Sequence, residues 1–449
     1  MRTITRIAAV IGLLVIPAGA FAQQGAPIVL TLGDAARLAA KQSAPSVIAQ
    51  LRTRAAEARV TQSKADLLPS LSTEALESGH TLNSATFGFS FPTPEGEKPL
   101  LDPNGQIIGP VNTLDLRARV TVPAIDFAAR ERVGSARAAV RASEAAARSA
   151  AEQAAATAAA AYLRAARADA VVSARAADST LADSLLMIAN EQLKAGVGVG
   201  LDVTRARAQV AAVHVQLISA RGEQSRSRLE LVRAIGVPLG TSIRLAGALE
   251  QLTIGDSIPD QATAVAVALR ERADLLAANR SVDAARQGTR AIRAERLPTL
   301  SAFADDGAIG TSTAHMLNTY MWGVQVSLPI FDGSKRSGKI SEQEAVTAEL
   351  DVQRKELERE VAVEVESALL DLNVAREQVG AANGRLALAQ QEYSQAQDRF
   401  RAGVSGNADV VSAALALNNA RNQLIDALTG YQAARVGLAR AQGTATQLP

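Results

Sequence analysis

The apolar residues in the C-terminal half of the chain follow a heptad pattern over about 40 residues. Steps of four and three residues alternate without a break, which is typical of a coiled-coil seam. No proline interrupts the chain between Asp332 and Gly403, and about 70 residues of helix would extend roughly 105 Å. The seam positions are Val361, Val365, Ala368, Leu372, Ala375, Val379, Ala382, Leu386, Ala389, Tyr393, Ala396 and Phe400.

A second helical pattern follows Gly403. Large apolar residues recur every seven positions, and an alanine stands three residues after each of them. Small residues opposite large ones let two antiparallel helices approach closely, so the two segments are predicted to form a long helical hairpin. The large residues are Val410, Leu417, Leu424, Tyr431 and Leu438, and the alanines are Ala413, Ala420, Ala427, Ala434 and Ala441.

Alternation with a period of two predicts β-strands near residues 69–91, 115–123, 298–310 and 320–329. Strands of roughly ten residues with one apolar side within these ranges match transmembrane β-strands. Arg117 and Arg119 fall on the polar side and are predicted to face a wet lumen, where they would tune selectivity. Aromatic residues on these strands are predicted to lie at the lipid interface, and burial in a protein core is the alternative. They are Phe87, Phe89, Phe91, Tyr320 and Trp322.

The chain is a tandem duplication. The stretch "LKAGVGVGLDV" recurs as "FRAGVSGNADV" 207 residues later, "LVRAIG" recurs as "LARAQG" at the same offset, and "VPAIDF" recurs as "LPIFDG" at an offset of 206. Each unit starts with a predicted helix, from Thr31 to about Leu67 and from Gln261 to about Leu297. The predicted divisions are a signal peptide (1–22), a first repeat (23–236), a connector (237–259), a second repeat (260–443) and a tail (444–449).

The two glycine-rich stretches, 196–201 and 403–408, are predicted to be the turns at the tips of the hairpins. Glycine supplies the positive φ that ends a helix. Asp202 and Asp409 are predicted to cap the returning helices, and Asp126 and Asp332 the long ones. A phosphate-binding loop is a poor alternative, because such a loop follows a strand and these stretches follow a helix.

Composition narrows the function. The opening "MRTITRIAAVIGLLVIPAGAFAQQ" has the pattern of a secretory signal peptide, so the mature chain is expected to begin near Gln23 and to lie outside the cytoplasm. With Arg2 and Arg6 removed, the formal net charge of +2 falls to zero, which gives no indication of nucleic-acid binding. The absence of cysteine excludes disulfides, cysteine-bound zinc and thiol catalysis.

No constellation of catalytic or metal-binding residues is evident. The three histidines, His80, His214 and His315, lie far apart and lack metal-ligand spacing. The sequence contains no nucleophile elbow and no convergent pair of carboxylates. We therefore expect no enzymatic activity and no cofactor.

Four strands cannot close a barrel, and an open sheet edge within a bilayer leaves backbone groups unpaired. The chain is therefore expected to oligomerise if its strands enter a membrane. Two copies would give eight strands and three would give twelve. An eight-stranded barrel is filled by side chains, so a conduit favours three copies.

With these residues placed, the mature sequence resembles the TolC-like outer-membrane efflux protein family. The resemblance rests on the duplicated order of elements, on "LPIFDGSKR" at the start of the second long helix and on "RFRAGVSGNADVVSAALAL" at the second tip. It implies a mainly α fold with a small β part. Three chains would share a twelve-stranded barrel in the outer membrane and a long α-helical barrel in the periplasm.

The resemblance also implies a function and sites. Such proteins are exit ducts that work with an inner-membrane transporter of the RND or ABC class, joined through a periplasmic adaptor. An acidic ring after the second tip commonly closes the duct, so the gate candidates are Asp409, Ser412 and Phe400. Ser412 departs from the acidic pattern of the family, and Phe400 and Ser405 replace the tyrosine and arginine that tie its gate shut. The candidates for adaptor docking are Gly196, Val197, Gly198, Val199, Gly200, Leu201, Gly403, Val404, Ser405 and Gly406.

The sequence alone leaves two alternatives open, one for the role of Asp409 and one for the function of the whole chain. Asp409 could serve only as a helix cap, as Asp202 at the equivalent position suggests. The whole chain could be a structural or adhesive periplasmic coiled coil without a pore, although such a rod has no reason to carry strands with an aromatic face.

Overall fold

A computed structural model describes residues 27–87, 104–247, 249 and 258–449 of the chain. The predicted signal peptide lies outside the described residues, and so do Phe89 and Phe91. The order of elements within the described part repeats. A helical pair, two strands, a long helix and a shorter return helix occur twice in succession.

Eight α-helices and six β-strands form the described part of the chain. The helices are α1 (Leu32–Gln42), α2 (Ala44–Ala65), α3 (Phe127–Lys194), α4 (Gly200–Ile235), α5 (Gln261–Glu271), α6 (Ala273–Ala294), α7 (Lys335–Arg401) and α8 (Asn407–Ala441). The strands are β1 (Ile28–Leu30), β2 (Ser70–Asn83), β3 (Ile107–Ile125), β4 (Ile243–Leu245), β5 (Thr299–Gly310) and β6 (Met316–Ser327).

The expected mainly helical fold with a small sheet is confirmed. Helices α3 and α7 have 68 and 67 residues, so each extends about 100 Å at 1.5 Å per residue. Helix α3 pairs with α4 to form the first hairpin, and α7 pairs with α8 to form the second hairpin. The two hairpins pack against each other mainly through α3 and α8.

The predicted seam of α7 faces the interior of the second hairpin. Between Val361 and Phe400 its buried residues fall on the heptad positions, apart from Leu369, which is buried beside the half-buried seam residue Ala368. The seam residues that are buried are Val361, Val365, Leu372, Ala375, Ala382, Ala389, Tyr393 and Phe400. Alanine dominates the core of α3 between Ala154 and Ala166, where this helix packs against α1, α4 and α8. Such small side chains allow several helices to approach one another at this level.

The first helix of each repeat is broken, where the sequence predicted a continuous one. The first break is at Ser43, whose ψ of 150° is extended. Pro45 follows at the start of α2, and proline lacks the N–H that a continuous helix would need there. The second break is at Arg272, which has a ψ of 119° and whose guanidinium bonds to Asp274 and Glu364.

The starts of the long helices agree only in part with the sequence. Asp126 caps α3, since its carboxylate accepts a hydrogen bond from the N–H of Ala129 at 2.8 Å. Asp332 is not the residue directly before α7, because the chain passes through Ser334 at a φ of 69° before the helix begins. Its carboxylate nevertheless caps the first turn of α7, since it accepts a hydrogen bond from the N–H of Arg336 at 3.1 Å.

The larger sheet has four antiparallel strands in the order β2-β3-β5-β6. Its strands differ in length from the predicted ones, because β3 begins at Ile107 and β6 at Met316. Strand β2 ends at Asn83, and Phe87 lies in a 3-10 turn from Ser84 to Phe87. The prediction that Phe87 lies on a strand is therefore wrong. The side chain of Asn83 accepts a hydrogen bond from the N–H of Ala85, which favours a turn at this point.

A second, two-stranded sheet was not predicted from the sequence. Strands β1 and β4 are parallel and have three residues each, too few to show an alternation. They join the start of the described chain to the connector. Nearby, Tyr162 of α3 is fully buried and donates a hydrogen bond to the carbonyl of Ala246 at 3.0 Å.

The predicted tail packs against the same region. Leu448 is buried, and the carbonyl of Pro449 accepts a hydrogen bond from the N–H of Gly33 at 2.8 Å.

Over the residues that the structure describes, no helix is both long enough and apolar enough to cross a membrane.

Candidate functional site: the sheet and the hairpin tips

The register of the four-stranded sheet separates an apolar face from a polar face. Residues paired across neighbouring strands share a face, so Val120 lies with Leu71 of β2 and Ala304 of β5, and Ala304 lies with Trp322 of β6. The large side chains of the apolar face are exposed in the single chain, with Tyr320 at 76 % and Trp322 at 74 %. These exposed residues are Leu71, Leu116, Val120, Val122, Tyr320, Trp322, Val324 and Val326. Tyr320 and Trp322 are therefore not core aromatics of one chain.

The polar face carries Arg117 and Arg119, as the alternation predicts, and both are in ion pairs. Arg117 donates to Asp305 at 2.6 Å and to Asp115 at 3.3 Å. Arg119 donates to Asp305 at 3.2 Å. The carboxylate of Asp305 is fully buried beneath these two guanidinium groups. The sequence did not identify Asp305, although its charge interrupts the small and apolar residues of β5.

The sheet has two open edges. Strands β2 and β6 are outermost, and in the described chain each pairs along one side only. The other side of each strand presents backbone N–H and C=O groups that need partners wherever water is absent. An exposed apolar face and two open edges in one sheet indicate that the chain is incomplete by itself in an apolar environment.

The two hairpin tips have the same backbone geometry. Gly196 ends α3 with a φ of 73°, and Gly403 ends α7 with a φ of 72°. The N–H of the following valine bonds to the carbonyl five residues back in each case, from Val197 to Gln192 and from Val404 to Arg399. This is the Schellman ending of a helix, which uses glycine at the left-handed position.

The tip aspartates are not helix caps, so that prediction is wrong. Helix α4 begins at Gly200 after Val199, and α8 begins at Asn407 after Gly406, both without a side-chain cap. Asp202 and Asp409 lie inside the first turn of their helices. A carboxylate at this position is favoured by the partial positive charge of the helix start, which explains an aspartate at the same place in both repeats.

The candidate docking residues form an exposed surface with aliphatic side chains. Val197 is 79 % exposed and Val404 is 68 % exposed, and Val199 and Leu201 are also exposed. Space is open around Gly196, Gly200, Gly403 and Gly406. Gly198 instead lies close to the backbone of Gln192, and Ser405 is half-buried.

The three gate candidates have different environments. Asp409 and Ser412 are exposed on successive turns of α8 and share a face at a spacing of three residues. Phe400 is only 2 % exposed and packs with Leu185 and Val410 in the core between the hairpins. Phe400 therefore does not line a channel surface in this structure. Its large apolar side chain occupies a seam position of α7 and points into the core.

Two side-chain hydrogen bonds join the tips of the hairpins, and the sequence did not reveal them. Gln192 of α3 donates to the carbonyl of Phe400 at 2.9 Å. Asn407 of α8 donates to the carbonyl of Asp202 at 2.9 Å and is fully buried. The one available signal was that Asn407 stands where the first repeat has Gly200.

A buried ion cluster also joins the hairpins about 25 Å from the tips, at 1.5 Å per residue. Asp178 of α3 is 2 % exposed and accepts from Arg421 of α8 at 2.9 Å and from Arg175 at 3.2 Å. Burial raises the pKa of Asp178, and the two arginines act in the opposite direction. Arg175 is a charged residue within the otherwise alanine-rich helix α3, and its guanidinium serves this cluster.

In the described part of the chain, no group of histidine and acidic side chains is arranged to hold a metal ion. The candidate functional features are the sheet and the tips. The four-stranded sheet with its exposed apolar face is joined to two helical hairpins whose long helices each extend about 100 Å.

The chain belongs to the outer membrane efflux protein family, whose model matches residues 39–237 and 264–444. Among its relatives, the probable efflux pump outer membrane protein TtgC of Pseudomonas putida is 26 % identical over 255 residues, 55 % of this chain and 51 % of TtgC. The outer membrane efflux protein BepC of Brucella suis is 26 % identical over 282 residues, 60 % of each chain. This chain thus spans about half the length of the curated relatives it matches.

Solved structures share the fold over most of the chain. The outer membrane protein VceC of Vibrio cholerae has a TM-score of 0.72 at 19 % identity, covering 92 % of this chain and 96 % of VceC. The outer membrane channel CmeC of Campylobacter jejuni has a TM-score of 0.74 at 17 % identity, covering 92 % of this chain and 86 % of CmeC. At such identities the likeness shows the fold.

Proposed function

We propose that this protein is the outer-membrane exit duct of a tripartite efflux pump or type I secretion system. It would conduct solutes passively from an inner-membrane transporter to the outside and carry out no chemistry of its own. The observation that carries the proposal is the four-stranded sheet, with its exposed apolar face and its two open edges. A soluble rod would leave this apolar face in water at a large free-energy cost.

A trimer would resolve both features of the sheet. Three copies of β2-β3-β5-β6 would pair β6 of one chain with β2 of the next and close a twelve-stranded barrel, which removes every open edge. The apolar face would then contact lipid, with Tyr320 and Trp322 at the membrane interface. The polar face with Arg117 and Arg119 would line the lumen.

The hairpin tips would be the periplasmic end of the duct. Both tips expose aliphatic side chains on short turns, and this surface suits the apolar tip of a partner helical hairpin. We therefore propose that residues 196–201 and 403–406 dock a periplasmic adaptor that links the duct to an RND or ABC transporter. The names of TtgC, an efflux pump outer membrane protein, and BepC, an outer membrane efflux protein, support a role in efflux, and the docking surface is argued from the exposed tips alone.

Asp409 is the proposed gate residue. Its exposed carboxylate lies on the first turn of α8, and Ser412 lies one turn further on. Three copies of Asp409 around a narrow axis would attract cations and repel anions. Phe400 would support the gate only indirectly, by holding α7 and α8 together.

The test is conductance in a planar bilayer, with the protein first isolated from membranes. The outer-membrane fraction should contain the protein as an oligomer that resists SDS, and the purified protein should give small, cation-preferring currents. Asp409→Ala should reduce the cation preference, and Asp202→Ala at the equivalent first-repeat position is the matched control. Recovery of the protein only from periplasmic contents would refute the duct.

A further inference from the structure

The polar face of the sheet contains an ion cluster that neither lipid contact nor docking explains. It lies at mid-height of the sheet, since Asp305 is six residues from the helical end of β5 and five from the outer end, roughly 20 Å from either. Arg119 is directly opposite Asp305, and Met321 of β6 is opposite Asp305 on the other side. Across the strands, Asp305 therefore lies between Arg119 on one side and the exposed side chain of Met321 on the other.

Arg117 reaches across the sheet in the neighbouring row. Its partners in the register are Gly307 of β5 and, beyond that, Thr319 of β6. The guanidinium donates to Thr319 at 3.4 Å and to Asp305 at 2.6 Å, so the side chain crosses over β5 at Gly307. A Cβ at Gly307 would lie 2.3 Å from the carbonyl oxygen of Leu116 and 2.7 Å from the Cα of Arg117. Glycine at position 307 therefore allows β3 and β5 to lie this close together beneath the Arg117 side chain.

Asp305 decides whether the charged side chains in this region carry a net negative charge or none. Glu74 of β2 lies opposite Arg117, and Asp115 bonds to it, so both add negative charge to the same face. With Asp305 included, three carboxylates face two guanidinium groups, and the charge is −1 per chain. Without Asp305 the charges cancel, and Arg119, whose side chain is about half exposed, loses its partner.

We propose that Asp305 is a selectivity-determining residue of the duct, at a level far from the tips. Together with Glu74 and Asp115, Asp305 would outweigh Arg117 and Arg119 and leave the middle of the barrel with a net negative potential. Cationic and neutral solutes would then pass this level more readily than anions. This inference rests on the proposed function, because it needs the polar face to line a water-filled lumen.

A single engineered thiol can measure the potential at this level. The chain has no cysteine, so Met321→Cys provides the only thiol, placed directly opposite Asp305 on the polar face. Methanethiosulfonate reagents that carry a trimethylammonium or a sulfonate group convert a thiol to a mixed disulfide and release methanesulfinate. The ratio of the cationic to the anionic modification rate reports the local potential and does not depend on the state of the tip.

The expected result is a preference for the cationic reagent in the Met321→Cys protein. Adding Asp305→Asn should lower the rate ratio about threefold, as expected for removing one unit charge within a Debye length in water. Adding Arg119→Gln removes a positive charge and should raise the rate ratio, so this second variant should change the ratio in the opposite direction. Adding Asp306→Asn is the matched control, since Asp306 is the next residue on β5 but lies on the apolar face.

The possible outcomes separate the inference from the proposed function. Val324→Cys lies on the apolar face and should resist both reagents in intact membranes, whereas Met321→Cys should react. If Val324→Cys reacts and Met321→Cys does not, the proposed orientation fails and the inference fails with it. If the orientation holds but Asp305→Asn leaves the ratio unchanged, or Asp306→Asn changes it equally, the inference alone is overturned. An SDS-resistant oligomer in each variant shows that folding is retained.

Discussion

The two hydrogen bonds between the hairpin tips are expected to oppose opening of the periplasmic end. Gln192 and Asn407 each donate to a backbone carbonyl of the other hairpin, at 2.9 Å in both cases. Separating the tips breaks both bonds. The perturbation is therefore the double variant Gln192→Ala with Asn407→Ala, compared with each single variant.

The free energy that each hydrogen bond contributes depends on whether its carbonyl acceptor keeps another partner when the bond is removed. The carbonyl of Phe400 also accepts from the N–H of Gly403, so removing Gln192 leaves that acceptor with a partner. Each bond should then contribute about 1 kcal/mol, the usual net value of a hydrogen bond within a protein. One bond corresponds to about a fivefold change in the ratio of open to closed states, and the two together to about thirtyfold.

Single-channel recording of the purified oligomer measures this ratio directly. The open fraction should rise in each single variant and rise further in the double variant. Gln397→Ala is the control, because Gln397 lies near the same tip but donates to Tyr393 within α7. An open fraction in the double variant equal to that of the parent, with the oligomer intact, would refute the idea that these bonds hold the tips together.

Three further predictions concern stability. Gly403→Ala should destabilise the second tip by about 1 kcal/mol in thermal unfolding because its φ is 72°, whereas Gly406→Ala, at a φ of −79°, should cost much less. Phe400→Ala should cost about 3–5 kcal/mol through the cavity it leaves, and an equal loss in the exposed control Ser412→Ala would contradict this. Burial raises the pKa of Tyr162 to about 12, so stability should be lost as pH rises from about 10 to 12. A loss of unchanged size in Tyr162→Phe, followed by circular dichroism, would disprove that assignment.

The sequence predicted the long-range organisation of the fold because that organisation is periodic. The heptad from Val361 to Phe400 requires one continuous interface, and the structure buries that seam. The alternation from Tyr320 to Ser327 likewise divides β6 into two faces, with the predicted residues on each. The duplication strengthened both interpretations, because each pattern occurs twice in the same order.

The details that failed depend on local geometry or on contacts between distant segments. The tip aspartates were assigned as caps because Asp is a common cap, but α4 and α8 begin two residues before Asp202 and Asp409. The short parallel pair β1 and β4 has no period to detect. Asp305 and Asn407 act through partners more than 180 residues away, and only the folded chain brings those partners together.

The most direct test of the account is the oligomeric state of the protein extracted from its membrane. Native mass spectrometry of the detergent-solubilised protein should give three chains per particle, since three sheets of four strands are needed to close a conducting barrel. A heated sample should dissociate to single chains and lose conductance at the same temperature. A stable single chain released without detergent would contradict the central claim, because its open sheet edges and apolar face would then have no need of partners.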